Sequence, residues 1–333
     1  MAIRATLNAV VAAATCLVVD GPAAALAQGT GEAAGFPGRP IRIVIGFTPG
    51  GQPDIFARLI GPRLSESVGQ QVVVDNRPGA GGIIGTQIVV TATPDGYTML
   101  SVSSAHSISP AIYAKLPYDT LKDLAGVTMT ATAVYVLAVP PSLGIKTVQE
   151  FIALAKAKPG QLNFSSAGIG SGTHFAGEMF KQNARIDVVH VPYKGIPESL
   201  TDALTGRVQF TMAPIASSLT LVKEGRLRAL GVSSKERSGI YPDIPTIAES
   251  GLPDFDWNSW GGLLVPAKTP RAIVNKLHRE ITRVLGLPDV QQRLRAMGAE
   301  AAPSPTPEQF DEFLARQIGV VRQLARAAGI EPQ

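Results

Sequence analysis

Cysteine is nearly missing from this sequence: there is one thiol in 333 residues, Cys16, close to the start. No disulfide framework and no cysteine metal site can be built from it. Histidine is scarce as well. His106, His174, His190 and His278 never recur at i, i+3 or i+4, so a zinc-binding helix motif is missing. Charged residues make up only 17%, and the net charge of +4 comes without a Lys/Arg cluster. That argues against a nucleic-acid surface. No apolar run is long enough for an ordinary membrane span. No phosphate loop ending in Gly-Lys-Ser/Thr occurs, because Gly50-Gly51 is followed by Gln52. The run Gly168-Ile169-Gly170-Ser171-Gly172-Thr173 falls short of a dinucleotide fingerprint, with Thr173 where the third glycine belongs. Ser171 lies outside the Gly-x-Ser-x-Gly frame of a nucleophile elbow. Neither a cofactor nor a metal is expected.

What is present begins with a leader. Arg4 supplies a positive start, Val10 to Val19 is apolar, and Ala25-Leu26-Ala27 has the small-x-small form of a cleavage site. Residues 1–27 therefore read as a signal peptide and 28–35 as a Gly/Ala linker. Cys16 leaves with the leader. The rest is long enough for about two domains.

The next stretch organises the whole chain. Ile41, Ile43 and Ile45 alternate along a short buried strand. Thr48-Pro49-Gly50-Gly51 breaks it, and Pro53, Asp54, Phe56, Leu59, Ile60 and Leu64 open and pattern a helix. A strand, a Gly-rich turn and a helix aim free N–H groups and a positive helix end at one spot, where an anion fits. The same turn could equally just reverse the chain. Further strands are expected at 71–75 and 97–102, the latter ending in the turn Ser103-Ser104-Ala105-His106-Ser107. The logic repeats with a strand at 134–139, a strand at 162–165, a second Gly-rich turn from Gly168 to His174 and a helix from Phe175. Alternating strands and helices imply an α/β fold with ligands beyond the carboxyl ends of the strands. The helical tail after Asp254–Pro266 implies that the chain returns to where it began. Two domains are expected, 36–136 with 258–333 and 137–257, with a ligand cleft between them.

Several motifs, in order, resemble the tripartite tricarboxylate transporter substrate-binding receptors, also called Bug-type receptors. They are Pro40 to Phe47 with Pro49-Gly50-Gly51 and Asp54, Asn76 to Gly82, Pro94-Asp95-Gly96-Tyr97, Gly168-x-Gly170-Ser171 with His174, Val191 to Gly195, Asp243 to Glu249 and Gly251-Leu252-Pro253. The similarity runs from about Phe36 to the C-terminus. It implies a two-domain periplasmic binding protein, type II-like, that grips a ligand carboxylate between two loops, often through ordered waters. Carried over, those loops are Phe47, Thr48, Pro49, Gly50, Gly51 and Asp54 on one side and Gly168, Gly170, Ser171, Gly172, Thr173 and His174 on the other. Thr48 departs from the family, which more often has a small residue such as Ala there.

Around these loops, Ser103 and Ser104 can add donors from the third turn. Asp54 is either a first-turn acid serving its own helix or a contact for an amine-bearing ligand. Lys194 is either a ligand contact or a solvated turn residue. Tyr193 is either a pocket wall or a packed turn aromatic, and Trp257 and Trp260 are core residues by default. The expected protein is a periplasmic monomer, not an enzyme, that captures a small carboxylate and delivers it to integral-membrane permease subunits. It has no nucleic-acid partner. The alternatives are a ligand-presenting sensor receptor and a serine hydrolase using Ser104 or Ser171, with a Ser104–His174 pair.

Overall fold

The computed structural model describes residues 35–332. The leader at 1–27 and all of the linker but Gly35 lie outside the described residues. The first strand, β1 (Ile41–Ile45), is parallel to both β2 (Val72–Asn76) and β3 (Thr98–Ser103). Between β1 and β2 runs α1 (Gln52–Val68), and α2 (Ile83–Val90) separates β2 from β3. Pro53 sits in the first turn of α1, and Gly69, with φ 70°, ends it in the left-handed region. The helix buries Phe56, Ala57, Ile60 and Leu64 against Ile41, Ile43, Ile45 and Met99. Burying side chains of this size contributes about 1.5–3 kcal/mol each.

After β3 the chain turns only at Ser103-Ser104 and then forms α3 (Ala105–Ile112). The expected longer turn is thus mostly helix. Ser107, Ser109 and Pro110 disguise it, because all are poor residues for a helix interior. Burial of His106, Ile108 and Ala111 outweighs their propensity.

The strand expected at 134–139 is the end of a much longer one, β4 (Leu124–Val139). Thr128, Thr130 and Thr132 interrupt its apolar pattern. Over Leu124–Val134 it pairs with β9 (Asn258–Pro266), and over Tyr135–Val139 with β7 (Phe210–Pro214) and β8 (Arg228–Val232). One strand therefore serves two halves of the molecule. In the second half β5 (Asn163–Ser166) runs parallel to β6 (Val189–Pro192) and β7. Its helices are α4 (Val148–Ala157), α5 (Gly172–Ala184), α6 (Ile196–Leu204) and α7 (Ile215–Lys223). The described strands follow one path, β2-β1-β3-β9-β4-β7-β5-β6, with β8 and the short β10 (Glu300–Ala301) paired to β4 beside it.

The tail is helical, as expected: α8 (Arg271–Leu285), α9 (Pro288–Ala296) and α10 (Pro307–Ala327). Thr306 caps α10 by accepting the Gln309 N–H at 3.2 Å. Phe310 and Leu314 then pack with Trp260 and Leu264 of the first half. Val321, Leu324 and Ala325 pack with Phe175, Phe180 and Trp257 of the second. The end of the tail thus packs into a cluster shared by both halves, because Ile108 and Ala111 of the first half belong to it too. β4, β9 and α10 all pass between the halves.

Candidate functional site

Three turns lie at carboxyl ends of parallel strands. The first, from Phe47 to Asp54, is built around a carboxylate. Asp54 is buried, and its Oδ2 accepts the Gly50 N–H at 2.9 Å. Its Oδ1 accepts Arg58 Nε at 2.9 Å and Asn76 Nδ2 at 3.0 Å. The same Asn76 amide donates to the Phe47 carbonyl at 3.1 Å. Burial pushes the Asp54 carboxyl up, but the bonds from Gly50, Asn76 and Arg58 outweigh it and hold the group below its ordinary value. Both oxygens are thus engaged in shaping the turn. Thr48, Pro49 and Gly50 are exposed, and Gly51 is half-buried. No side chain caps α1, so the N–H groups of Gln52 and Asp54 stay open in its first turn.

The second turn, from Gly168 to His174, is built around neutral rings. His174 Nδ1 accepts the Gly170 N–H at 3.2 Å. Its ring stacks on His190 with centroids 3.9 Å apart. His190 Nε2 lies 2.6 Å from Ser166 Oγ, which also accepts the Gly168 N–H at 3.1 Å. Burial pushes His174 down to about 4, helped by the Lys181 charge, and His190 down to about 3, helped by His174 and Lys181. A neutral His174 is what lets Nδ1 accept. Ser171 caps α5 by accepting the His174 N–H at 3.2 Å. Thr173 is buried, and its hydroxyl accepts the Ala167 N–H at 2.8 Å and meets Ser171 Oγ at 2.9 Å. Between them, those two hydroxyls keep one proton for an outside acceptor, because the other joins the pair. The Gly172 and Thr173 N–H groups remain in the first turn of α5.

The third turn is Ser103-Ser104. The geometry brings all three turns to one residue that the sequence reading passed over, Tyr135 on β4. Burial pushes its phenol up to about 12, partly countered by hydrogen bonds with the Ser259 and Ser104 hydroxyls. Ser259, on β9, donates to Gln52 Oε1 at 2.9 Å, at the head of α1. A Cβ on Gly172 would lie 2.3 Å from the Tyr135 hydroxyl and 3.7 Å from Ser104 Oγ. Only glycine permits that approach at the head of α5. Trp257 donates its indole N–H to the Gly172 carbonyl at 3.1 Å, so it borders the second turn, while Trp260 packs against Phe310 and Phe313 in the core. Two helix N-termini are thus tied to one phenol.

Tyr193 follows β6 beside the second turn, where a Cβ on Gly168 would lie 3.2 Å from its carbonyl. Tyr193 donates to Asp202 Oδ2 at 2.7 Å, which ties its ring to α6. Lys194 is exposed and forms no ion pair among the described residues. The Ser104–His174 pair does not form: Ser104 faces Tyr135, and His174 Nδ1 serves Gly170. Tyr135 had one signal in the sequence, a lone phenol in the apolar run Val134–Val139. Gln52 and Ser259 had none, because short polar residues beside turns are ordinary.

The chain is similar to known proteins over most of its length. Residues 56–330 match the profile described as the tripartite tricarboxylate transporter family receptor. The chain is 35% identical over 294 residues to protein BugT of Bordetella pertussis, covering 86% of this chain and 90% of that protein. The solved structure of R. palustris Rpa4515 with adipate is 33% identical, with a TM-score of 0.74 over 90% of this chain and 100% of that one. MatC from Rhodopseudomonas palustris with bound malate is 30% identical, with a TM-score of 0.69 over 87% of this chain and 99% of that one.

Proposed function

The chain belongs to the tripartite tricarboxylate transporter receptor family, a family of solute-binding receptors and not of enzymes, and from that premise we propose that it captures a small organic carboxylate in the periplasm and delivers it to an integral-membrane permease. The observation that carries the reading is the convergence of α1 and α5 on Tyr135. Their open N–H groups offer donors, and their aligned dipoles favour negative charge. Hydrogen bonds to a charged acceptor contribute about 1.5–3 kcal/mol each. The two related structures hold adipate and malate, both small carboxylates.

In this reading Phe47 to Gly51 and Gly168 to Thr173 line the ligand from opposite sides, Ser103 and Ser104 lie beneath it, and Asp54 and His174 hold the two turns in shape. The halves act as domains that close on the ligand, hinged at β4, β9 and α10. The receptor works as a monomer. Calorimetry with adipate and malate, and with their amides and methyl esters, tests the grip. The acids should bind and the neutral derivatives should not. Equal binding of acid and ester would overturn the reading.

A further inference from the structure

Gln52 opens α1 and reaches across to β9. Ser259 Oγ donates to its Oε1 at 2.9 Å. A primary amide has one acceptor end and one donor end, so fixing Oε1 on Ser259 turns Nε2 away from β9. Nε2 has no protein partner among the described residues, and the side chain is only half-buried. Ser259 also neighbours the Tyr135 phenol. No side chain caps the N–H groups of Gln52 and Asp54 in the same first turn. The nearby acid cannot satisfy them, since both Asp54 oxygens are engaged by Gly50, Asn76 and Arg58. The first turn of α1 therefore holds several donors, and its one carboxylate is fully engaged.

We propose that Gln52 Nε2 donates a hydrogen bond to the bound carboxylate, and that Ser259 is the positioning residue that keeps the amide turned that way. The inference rests on the carboxylate reading of the site. It names a side chain that selects for an acceptor at one point of the ligand, where the rest of the grip is backbone.

Calorimetry with succinate, glutarate and adipate on the full protein tests it, using Gln52→Ala, Gln52→Glu and Ser259→Ala, with melting curves as a folding check. Gln52→Ala should weaken binding about tenfold, the loss of one hydrogen bond. Gln52→Glu keeps the shape but places a second carboxylate against the first, so it should weaken binding by roughly 100-fold or more near neutral pH. Its deficit relative to wild type at the same pH should shrink as the solution is acidified and the new side chain becomes neutral. A merely structural role would not produce that pH-dependent ratio. Ser259→Ala should weaken binding less than Gln52→Ala, and combining the two should add little to Gln52→Ala alone. The inference is overturned if wild type binds an acid and Gln52→Glu binds it equally well, or if its deficit is unchanged by pH. If wild type binds none of the three acids, the carboxylate reading itself falls, and this inference with it.

Discussion

The two turns that open α1 and α5 reach the same phenol, yet they are assembled from opposite materials. In the first, an ionised carboxylate gathers the Gly50 N–H, the Asn76 amide and the Arg58 guanidinium. In the second, two stacked imidazoles, both neutral, hold Gly170 directly and Gly168 through Ser166. The first leaves room at its helix head, since a Cβ on Gly51 would meet nothing closer than Thr48 O at 3.6 Å. The second leaves none at Gly172. The lesson is that a turn at a helix head can be framed by a charge or by uncharged rings and still leave its donors free. The framing then decides how each turn fails.

The largest expected contrast comes from one substitution made in both turns. Gly51→Val should leave the melting transition nearly unchanged and lower carboxylate affinity by roughly 100-fold or more, because the new side chain stands only in the ligand's way. Gly172→Val collides with Tyr135 and should lower stability itself, by about 1–3 kcal/mol. Paired calorimetry and melting curves check both, and a Gly51→Val protein that binds normally would remove the first turn from the site.

Acid should separate the turns next. Imidazole in the unfolded chain keeps its ordinary value of 6.5, while folded His174 is held at about 4. Between those values the unfolded chain takes up protons that the folded one refuses, so stability falls as pH falls through that window. Asp54 behaves differently. Its stabilisation is fully present above its ordinary value of 3.8 and is lost only as pH falls below it. Glu178, 3.9 Å from His174, has a carboxyl that burial pushes up, so it takes up a proton early in the folded state and offsets part of the histidine loss. His174→Gln removes the imidazole and should flatten the decline between pH 6.5 and 4 by about 1–2 kcal/mol. Urea unfolding at a series of pH values measures it. An unchanged slope would mean that His174 is not the group titrating.

The smallest contrast concerns the caps. Ser171 caps α5 and no side chain caps α1. Ser171→Ala should cost about 1 kcal/mol of stability. Hydrogen exchange should place that loss in the first turn of α5 and leave the first turn of α1 unaffected.

Much of this architecture was readable from local pattern. The strand at 41–45, its Gly-rich turn and the helix from Pro53 announce themselves through period, breaker and cap. So does the second turn at Gly168–His174. Asp54 was readable as a first-turn acid, one of its two open meanings. Tyr135 and Ser259 were not readable as neighbours, because they meet only through the pairing of β4 with β9, and no spacing along the chain encodes that pairing. The span of β4 was hidden by threonines that pair well in a sheet but read as polar. Tyr193 stayed open between pocket wall and packed turn aromatic for a related reason: its hydroxyl finds Asp202 nine positions later, a contact set by how α6 docks.

The last helix bears on the order in which the molecule is completed. A chain made from its amino end presents β5, α5 and β7 long before α10 appears. Without Val321, Leu324 and Ala325, the apolar cluster around Phe175, Phe180 and Trp257 has an unfilled wall. Contacts that distant in sequence close late and slowly. Until nearly the final turn has emerged, the half that carries the second turn lacks part of its core.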